Sequence, residues 1–197
     1  MKNNLKFMLP VLFLMTLIHP DWVYPQVKVG DPAPEFALKQ LGTDSRVRLK
    51  DMLTAGQQRN VVVLSYFDTH CKPCLEEIPH LQNLAAKYKG QPVQIYLVSV
   101  DRGTAQSVKD FISTHTVTLP VLLDQYGMAT GEQYGVVKYD QATLPTLIVI
   151  SRNGIIKKNE QGYDPNIETV LSAELETLLK EPVQQLSSVE QGNLTIL

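Results

Sequence analysis

The sequence predicts a mixed α/β domain in which helices cover both faces of a β-sheet. Two nearly continuous apolar stretches, 61–67 and 93–100, have the composition of strands that are buried on both sides. Each is followed by a segment whose apolar residues recur at helical spacing. The chain then continues with a hairpin signal and one more amphipathic helix, and this order of elements is typical of a mixed sheet.

The composition is that of an ordinary globular protein. Its 197 residues suit one domain with a full core, and 44% of them are hydrophobic while 19% are charged. The net charge is -2, and no cluster of lysine or arginine is present. Because phosphate binding needs concentrated positive charge, nucleic acid is not expected as a partner.

The first third of the domain is predicted to form a β-hairpin. Residues 29–38 contain two prolines and lead into a short edge strand, and residues 41–44 favour a turn. Residues 46–49 return as the second arm of the hairpin. One helical turn at 50–53 and a polar loop then precede the first buried strand.

The helix after the first buried strand is predicted from a stripe of apolar residues at spacings of three and four. The stripe consists of Cys74, Ile78, Leu81, Ala85 and Tyr88. Pro79 interrupts the backbone hydrogen bonds of this helix and is expected to kink it. Gly90 marks its end.

The second half of the domain is predicted to alternate between helices and strands. Residues 104–115 have a helical apolar face, residues 119–123 form a short strand, and residues 127–134 form a helical turn. Residues 147–150 are the third strong strand, and Asn153-Gly154 is a hairpin turn signal.

A last helix is predicted to begin at the Asp164-Pro165 pair. Asp164 has the properties of an N-cap, and Pro165 suits the first helical position. One face of this helix is apolar and is lined by Ile167, Val170, Leu171, Leu175, Leu178 and Leu179.

The ends of the chain differ in composition from the domain at 26–180. Residues 1–25 are predicted to be a signal peptide or a membrane anchor, because two lysines precede the apolar stretch 7–18. As a helix that stretch would be roughly 18 Å long, less than the ~30 Å of a bilayer core. Cleavage near 19–26 is favoured and a tether through residues 7–18 stays open. Either places the domain outside the cytoplasm, in the periplasm or an equivalent compartment. Residues 181–197 are predicted to be a flexible tail.

The only two cysteines of the chain form the C-x-x-C pair Cys71 and Cys74, placed between a strand and a helix. A disulfide that closes such a small loop constrains little of the unfolded chain, so a purely structural bond is a poor explanation. A zinc site would need further cysteine or histidine ligands, and the four histidines are scattered. We therefore expect a redox dithiol and neither a metal nor a cofactor.

The position of the pair predicts different roles for the two thiols. Cys71 lies at the helix N-terminus, where free N–H groups and the helix dipole stabilise a thiolate, so it is the expected nucleophile. Cys74 lies one turn further in and is the expected resolving thiol. Glu77 shares the helical face of Cys74. It either takes the proton from Cys74, raises the pKa of that thiol by like-charge repulsion, or is simply an acidic residue favourable in the first helical turn. His70 either tunes the thiolate or is a solvated loop residue.

Several motifs, taken together, resemble the thioredoxin-like family and in particular its TlpA/ResA-type exported thiol–disulfide oxidoreductases. They are Val-Gly-Asp-Pro-Ala-Pro-Glu-Phe at 29–36, Cys-Lys-Pro-Cys-Leu-Glu-Glu-Ile-Pro at 71–79 and Leu-Pro-Thr at 144–146. The resemblance covers roughly residues 27–180. It implies a thioredoxin-like fold with an N-terminal β-hairpin and a helix–strand insertion at 101–123.

The resemblance also implies roles for individual residues. Pro145, which from sequence alone is either cis or trans, is implied to be cis and to expose the backbone of Leu144 to an extended substrate. Glu77 matches the acidic residue of the family's site, and Pro79 matches a helix-kinking proline. Partner proteins are expected to touch Leu144, Pro145, His70 and Pro73.

Two departures from the family pattern affect the surroundings of the thiols. Phe67-Asp68-Thr69-His70 replaces the usual tryptophan-containing stretch, so the surface beside Cys71 is smaller and more polar. Ser65 stands where thioredoxin has a buried aspartate, which makes Glu77 the more plausible base. We expect partner specificity to differ at Asp68-Thr69-His70.

The activity implied by the resemblance is the reduction of protein disulfides, with a membrane electron donor to restore the dithiol. Cytochrome c maturation is a typical use in the family. A peroxiredoxin-like thiol peroxidase remains an alternative, because Pro-Ala-Pro-Glu-Phe also resembles those enzymes. A thiol chaperone that handles metal or haem is the non-enzymatic alternative.

Overall fold

A seven-stranded mixed sheet forms the centre of the structure, a computed structural model that describes residues 27–54 and 59–183. Its strands are β1 (Ala37–Gln40), β2 (Arg46–Arg48), β3 (Val61–Phe67), β4 (Val93–Ser99), β5 (Val121–Leu123), β8 (Thr146–Ile150) and β9 (Ile156–Gln161). Their spatial order is β2-β1-β5-β4-β3-β8-β9. Two short strands, β6 (Val137–Lys138) and β7 (Gln141–Ala142), form a separate hairpin that the sequence analysis missed.

The helices are α1 (Leu49–Thr54), α2 (Lys72–Lys87), α3 (Ala105–Thr114) and α4 (Ile167–Lys180). Strands β3, β4 and β5 are parallel, whereas β8 runs antiparallel to β3, and β9 runs antiparallel to β8. The sheet is therefore mixed, as predicted. Because β3, β4 and β5 are parallel, their carboxyl ends meet at one edge of the sheet.

The interior strand β3 separates two hydrophobic clusters. Val61, Val63 and Phe67 pack in the cluster that contains the buried faces of α2, α3 and α4. Val62, Leu64 and Tyr66 pack in the cluster that contains α1. Every residue of β3 is buried because helices or loops cover both of its faces. This explains its continuous apolar sequence and confirms the predicted fold class.

The prediction that the strand after residues 29–36 lies at the edge of the sheet is wrong. Strand β1 pairs with β2 on one side and with β5 on the other, so β2 is the edge strand. Pro32 and Pro34 precede β1 and do not lie within it. They therefore leave its hydrogen-bond ladders intact.

The helical turn predicted at 127–134 is replaced by a series of hydrogen-bonded turns, which follow a short turn at Gln125–Gly127 in which the φ of Tyr126 is positive. The buried carboxylate of Asp124 organises it by accepting the backbone N–H groups of Ala129, Thr130 and Gly131, each at 2.8 or 2.9 Å. The Thr130 hydroxyl also donates to Asp124 and accepts a hydrogen bond from Tyr66. A side chain therefore satisfies N–H groups that a helix would satisfy internally.

The predicted start of the last helix is also wrong. Helix α4 begins at Ile167 with Asn166 as its N-cap, so Pro165 lies before the helix. The Asp164 carboxylate accepts the N–H of Asn166 at 2.8 Å and forms a turn in place of the cap. Val170 was assigned to the buried face of this helix but is 40% exposed.

Residues 1–26 and 184–197 lie outside the described part of the chain. The predicted signal peptide or anchor falls there, as does most of the predicted tail. Among the helices of residues 27–54 and 59–183, none is both long enough and apolar enough to cross a bilayer.

Candidate active site

The C-x-x-C pair lies where β3 passes into α2. A turn at 68–70 follows the strand, and Cys71 is the N-cap of the helix. The sulfurs of Cys71 and Cys74 form a disulfide, and the Cys71 Sγ accepts the Cys74 N–H at 3.2 Å. Pro73 lies in the first turn, where its missing N–H removes no helical hydrogen bond.

The two sulfur-bearing residues differ in their access to solvent. Cys74 is only 1% exposed and belongs to the core between α2 and β3. Cys71 is partly exposed, and its neighbours Lys72 and Pro73 are exposed. A large partner can therefore approach the disulfide only at Cys71.

Glu77 is a buried carboxyl group on α2, three residues after Cys74. Its side chain is 1% exposed, and its Oε1 accepts a hydrogen bond from the Ser65 hydroxyl at 2.6 Å. Burial raises the pKa of Glu77 from 4.5 to about 7, and the charge of Glu160 adds to this rise, whereas the Ser65 hydrogen bond opposes it. The alternative of an acidic residue that favours the first helical turn does not fit, because Glu77 lies in the second turn and is buried.

The sheet register places Glu160 on the same face of the sheet as Ser65, the hydrogen-bond partner of Glu77. Ser65 on β3 is opposite Leu147 on β8, and Leu147 is opposite Glu160 on β9. Glu160 pairs with Lys158 at 2.7 Å, and Lys158 also lies 3.7 Å from Glu174 on α4. A partly buried charge network therefore extends from the site to α4.

Asp101 holds the turn that precedes Cys71, a role that the sequence analysis missed. It is 6% exposed and accepts hydrogen bonds from the Thr69 N–H at 3.1 Å and the Thr69 hydroxyl at 2.7 Å. It also accepts the Ser99 hydroxyl at 2.9 Å. The sequence contains a signal for this contact. Asp101 directly follows β4, which is parallel to β3, and the carboxyl ends of neighbouring parallel strands lie at the same edge of the sheet.

His70 occupies the exposed end of this turn. Its N–H donates to the Asp68 carboxylate at 2.8 Å, and its Nδ1 lies 3.3 Å from the Thr69 hydroxyl. The ring therefore contacts Thr69, whereas Asp68 holds only the backbone, and the side chain is exposed next to Cys71.

Pro145 lies at the same edge of the sheet as the disulfide. The Leu144–Pro145 peptide bond is cis, as the resemblance implies. Thr146 pairs with Tyr66, so Pro145 lies next to the end of β3. Leu144 is partly exposed and packs against both hydrophobic clusters. Its backbone takes part in no hydrogen bond with any other described residue, which leaves it available to an extended partner.

A C-x-x-C disulfide at the start of a helix, next to a central strand and a cis proline, defines the thioredoxin-like class of redox proteins. Comparison with known proteins agrees. The chain belongs to the AhpC/TSA family, whose model matches residues 29–159. Within residues 27–54 and 59–183, no group of three or more His, Cys, Asp or Glu side chains is arranged to hold a metal ion.

Two curated relatives of the chain are named as thiol–disulfide oxidoreductases. ResA of Oceanobacillus iheyensis is 37% identical over 138 residues, which cover 68% of this chain and 66% of the relative. ResA of Bacillus cereus is 29% identical over 82% of this chain and 90% of the relative. The ResA-type resemblance is thereby confirmed.

Solved structures agree with the fold. A crystal structure from Chlorobium tepidum, assigned as the thiol:disulfide interchange protein DsbE, is 28% identical with a TM-score of 0.66. The match covers 78% of this chain and 99% of that one. Fold, site and relatives together identify a thiol–disulfide oxidoreductase of the thioredoxin-like fold.

The raised pKa of Glu77 predicts a pH dependence of stability that Glu77→Gln removes. Between 4.5 and about 7, the folded protein keeps a proton on Glu77 that the unfolded chain has released. The free energy of unfolding therefore falls as pH rises through this window, by on the order of 3 kcal/mol for this one group. Urea unfolding of the oxidised protein at pH 4.5 to 8.5 should show this fall in the wild type relative to Glu77→Gln.

Glu76→Gln is the matched control, because the neighbouring Glu76 is exposed and the same charge is removed. Its unfolding curve should follow that of the wild type at every pH. If the free energy of unfolding changed with pH in the same way in the wild type and in Glu77→Gln, Glu77 would not be a buried carboxyl group that titrates near pH 7.

Proposed function

We propose that this protein reduces disulfides of partner proteins outside the cytoplasm, and that Cys71 and Cys74 are oxidised to a disulfide in each cycle. The observation that carries the proposal is the unequal access to the pair, with a reachable sulfur at the helix N-terminus and a buried one behind it. Such a pair can form a mixed disulfide with a large partner and then release it.

The direction of electron flow is inferred from the charges around the pair. Strong oxidants in this fold have a high reduction potential because their reduced form is stabilised, which requires groups that stabilise the negative charge of the thiolate. Here Lys72 is the one full positive charge between residues 65 and 77, whereas Asp68, Glu76 and Glu77 supply three acids. These acids oppose the thiolate, which favours the disulfide form of the pair and hence its action as a reductant.

The reaction proceeds by two exchanges. The Cys71 thiolate attacks one sulfur of the partner's disulfide, and the partner's other sulfur leaves as a thiolate. The Cys74 thiolate then attacks the Cys71 sulfur, so that the second partner sulfur leaves and the Cys71–Cys74 disulfide forms. Two electrons pass to the partner, and a dithiol donor restores the pair.

Glu77 is the proposed base for the second exchange. Cys74 is buried, so water has poor access to its thiol proton. Glu77 lies one turn further along the same face of α2 and has a pKa of about 7, nearer to that of a thiol than an ordinary carboxyl group has. A base matched in this way transfers a proton efficiently near neutral pH.

The partner is proposed to lie across the edge of the sheet. Its extended backbone would pair with Leu144 before the cis Pro145, while its reacting sulfur meets Cys71. The exposed His70 and Pro73 would contact the partner on either side of that sulfur. Export or tethering through residues 7–18, re-reduction by a membrane dithiol and service to cytochrome c maturation belong to this proposal.

Measurement of the reduction potential of Cys71–Cys74 tests the proposed direction. In redox buffers we expect a value near that of thioredoxin, about −270 mV, because acids surround the pair. A value near that of the oxidant DsbA, about −120 mV, would reverse the direction. Fast consumption of peroxide by the reduced protein would instead assign a thiol peroxidase.

Trapping experiments test the roles of the two thiols. Cys74→Ser should accumulate mixed disulfides with partner proteins, because the sulfur that releases them is gone, whereas Cys71→Ser should accumulate none. Non-reducing gels of extracytoplasmic extracts provide the measurement. If mixed disulfides accumulated in Cys71→Ser and not in Cys74→Ser, Cys74 would be the nucleophile and Cys71 the resolving thiol.

Stopped-flow kinetics test the role of Glu77. A peptide is first linked to Cys71 through a mixed disulfide, and its release by Cys74 is then followed. Glu77→Gln should slow this release at least about tenfold relative to the wild type, which is the scale of general base catalysis. The attack by Cys71 should keep its rate, because that thiol is partly exposed. Glu76→Gln should leave both steps unchanged. Equal release rates in Glu77→Gln and the wild type would remove Glu77 from the mechanism.

A further inference from the structure

A cleft of about 470 Å³ adjoins the C-x-x-C site. The turn 68–70, which precedes Cys71, forms part of its wall, and Ala142, which leads towards Leu144-Pro145, forms another part. The cleft therefore adjoins both segments that meet the partner in the proposed mechanism. A larger groove, of about 830 Å³, surrounds Tyr88 at the other end of α2 and includes no residue of the site.

The cleft offers apolar surface to a bound chain. Val100 and Val137 line it and are otherwise buried, at 5% and 6% exposure. Tyr126 also lines it and is 46% exposed, so part of its ring is open to a bound chain. A large apolar side chain of a partner would bury this surface and gain stabilisation from it.

Tyr126 is held at the cleft by an uncommon backbone conformation. Its φ is +63°, which is rare for a bulky residue. The Tyr126 N–H donates to the Asp101 carbonyl at 3.4 Å, and the following Gly127 lies so close to Val137 that a Cβ atom would come within 2.4 Å of it. Such costly conformations persist where surrounding contacts enforce them and cluster at binding sites.

The charges that line the cleft are mainly negative. Asp68, Asp101 and Asp140 contribute three carboxylates, against one guanidinium from Arg102. That guanidinium already donates to the Asp140 carbonyl and lies 6.0 Å from the centre of the Tyr126 ring. The cleft therefore attracts cations more than anions.

We propose that this cleft binds the polypeptide segment beside the partner's reacting cysteine, and that it selects a large apolar side chain next to a lysine or arginine. The inference rests on the proposed function, since it names the partner chemistry of that same site. Tyr126 is the specificity-determining contact for the apolar side chain, and Asp140, at the rim, is one for the cation.

The test uses disulfide-linked dimers of seven-residue peptides that differ only beside the cysteine, with Phe-Lys, Phe-Glu or Gly-Ser. The reduced full-length protein is mixed with each dimer, and acid-quenched samples are separated by chromatography to give second-order rate constants. The same dimers reduced by dithiothreitol correct for the intrinsic reactivity of each peptide. Hydroxyethyl disulfide, which is too small to need the cleft, reports the chemistry of the cysteines alone.

The corrected rate constant for the Phe-Lys dimer should exceed that for Phe-Glu at least about fivefold at low salt, and the ratio should shrink in 0.5 M salt. Tyr126→Asn should lower the Phe-Lys rate at least about threefold, because Asn tolerates the positive φ but lacks the ring. Its rate with hydroxyethyl disulfide should not change. Asp140→Asn should reduce the ratio of Phe-Lys to Phe-Glu.

Two matched variants control for the nature of the substitutions. Tyr139→Asn removes another exposed tyrosine with a positive φ, +50°, which does not line the cleft. Asp44→Asn removes an exposed carboxylate from the distant β1–β2 turn. Both should behave as the wild type does with every peptide.

Equal corrected rates for the three dimers would overturn the inference, as would equal effects of Tyr126→Asn and Tyr139→Asn. A faster reaction with Phe-Glu would reverse the charge preference and equally overturn it. A wild-type protein that fails to reduce hydroxyethyl disulfide would instead disprove the proposed function, on which the cleft's role depends.

Discussion

The packing of α2 against β3 is the constraint on which the rest of the site depends. Cys74 and Glu77 are both buried in this interface, and the Ser65–Glu77 hydrogen bond crosses it. Because β3 is an interior strand and lies between β4 and β8, the start of α2 is fixed relative to the whole sheet. Cys71 is therefore presented at one defined place on the surface, beside the cis Pro145.

Three buried carboxyl groups near this edge differ in how well they are satisfied. Asp101 and Asp124 each accept several N–H or O–H donors, and those hydrogen bonds shape the loops around them. Among the described residues, Glu77 accepts a hydrogen bond from one donor, the Ser65 hydroxyl. A buried carboxylate with so little compensation is costly to ionise, which explains its raised pKa. Proteins keep such groups mainly where their chemistry is needed.

The surface around Cys71 joins an electrophilic disulfide to an acidic, partly apolar cleft. The turn Asp68-Thr69-His70 departs from the aromatic pattern of the family, and hydrogen bonds from Thr69 tie it to Asp101, just after the neighbouring strand β4. Tyr126 supplies aromatic surface from a different segment of the chain. The turn before Cys71 thus lies beside a cleft whose other walls come from residues 100–103, 107, 126, 137, 140 and 142.

The sequence by itself determined the central strands, the helices on both faces and the redox pair, because apolar periodicity and C-x-x-C spacing are local patterns. It misplaced β1 and the start of α4, and it missed the β6–β7 hairpin, since two-residue strands leave no periodic signal. Only the tertiary structure decided the burial of Glu77, the hydrogen bonds from Thr69 to Asp101 and the cleft beside Tyr126. The physical reason is that a pKa, a hydrogen bond or a cavity depends on groups that meet across 12 or more positions of the chain.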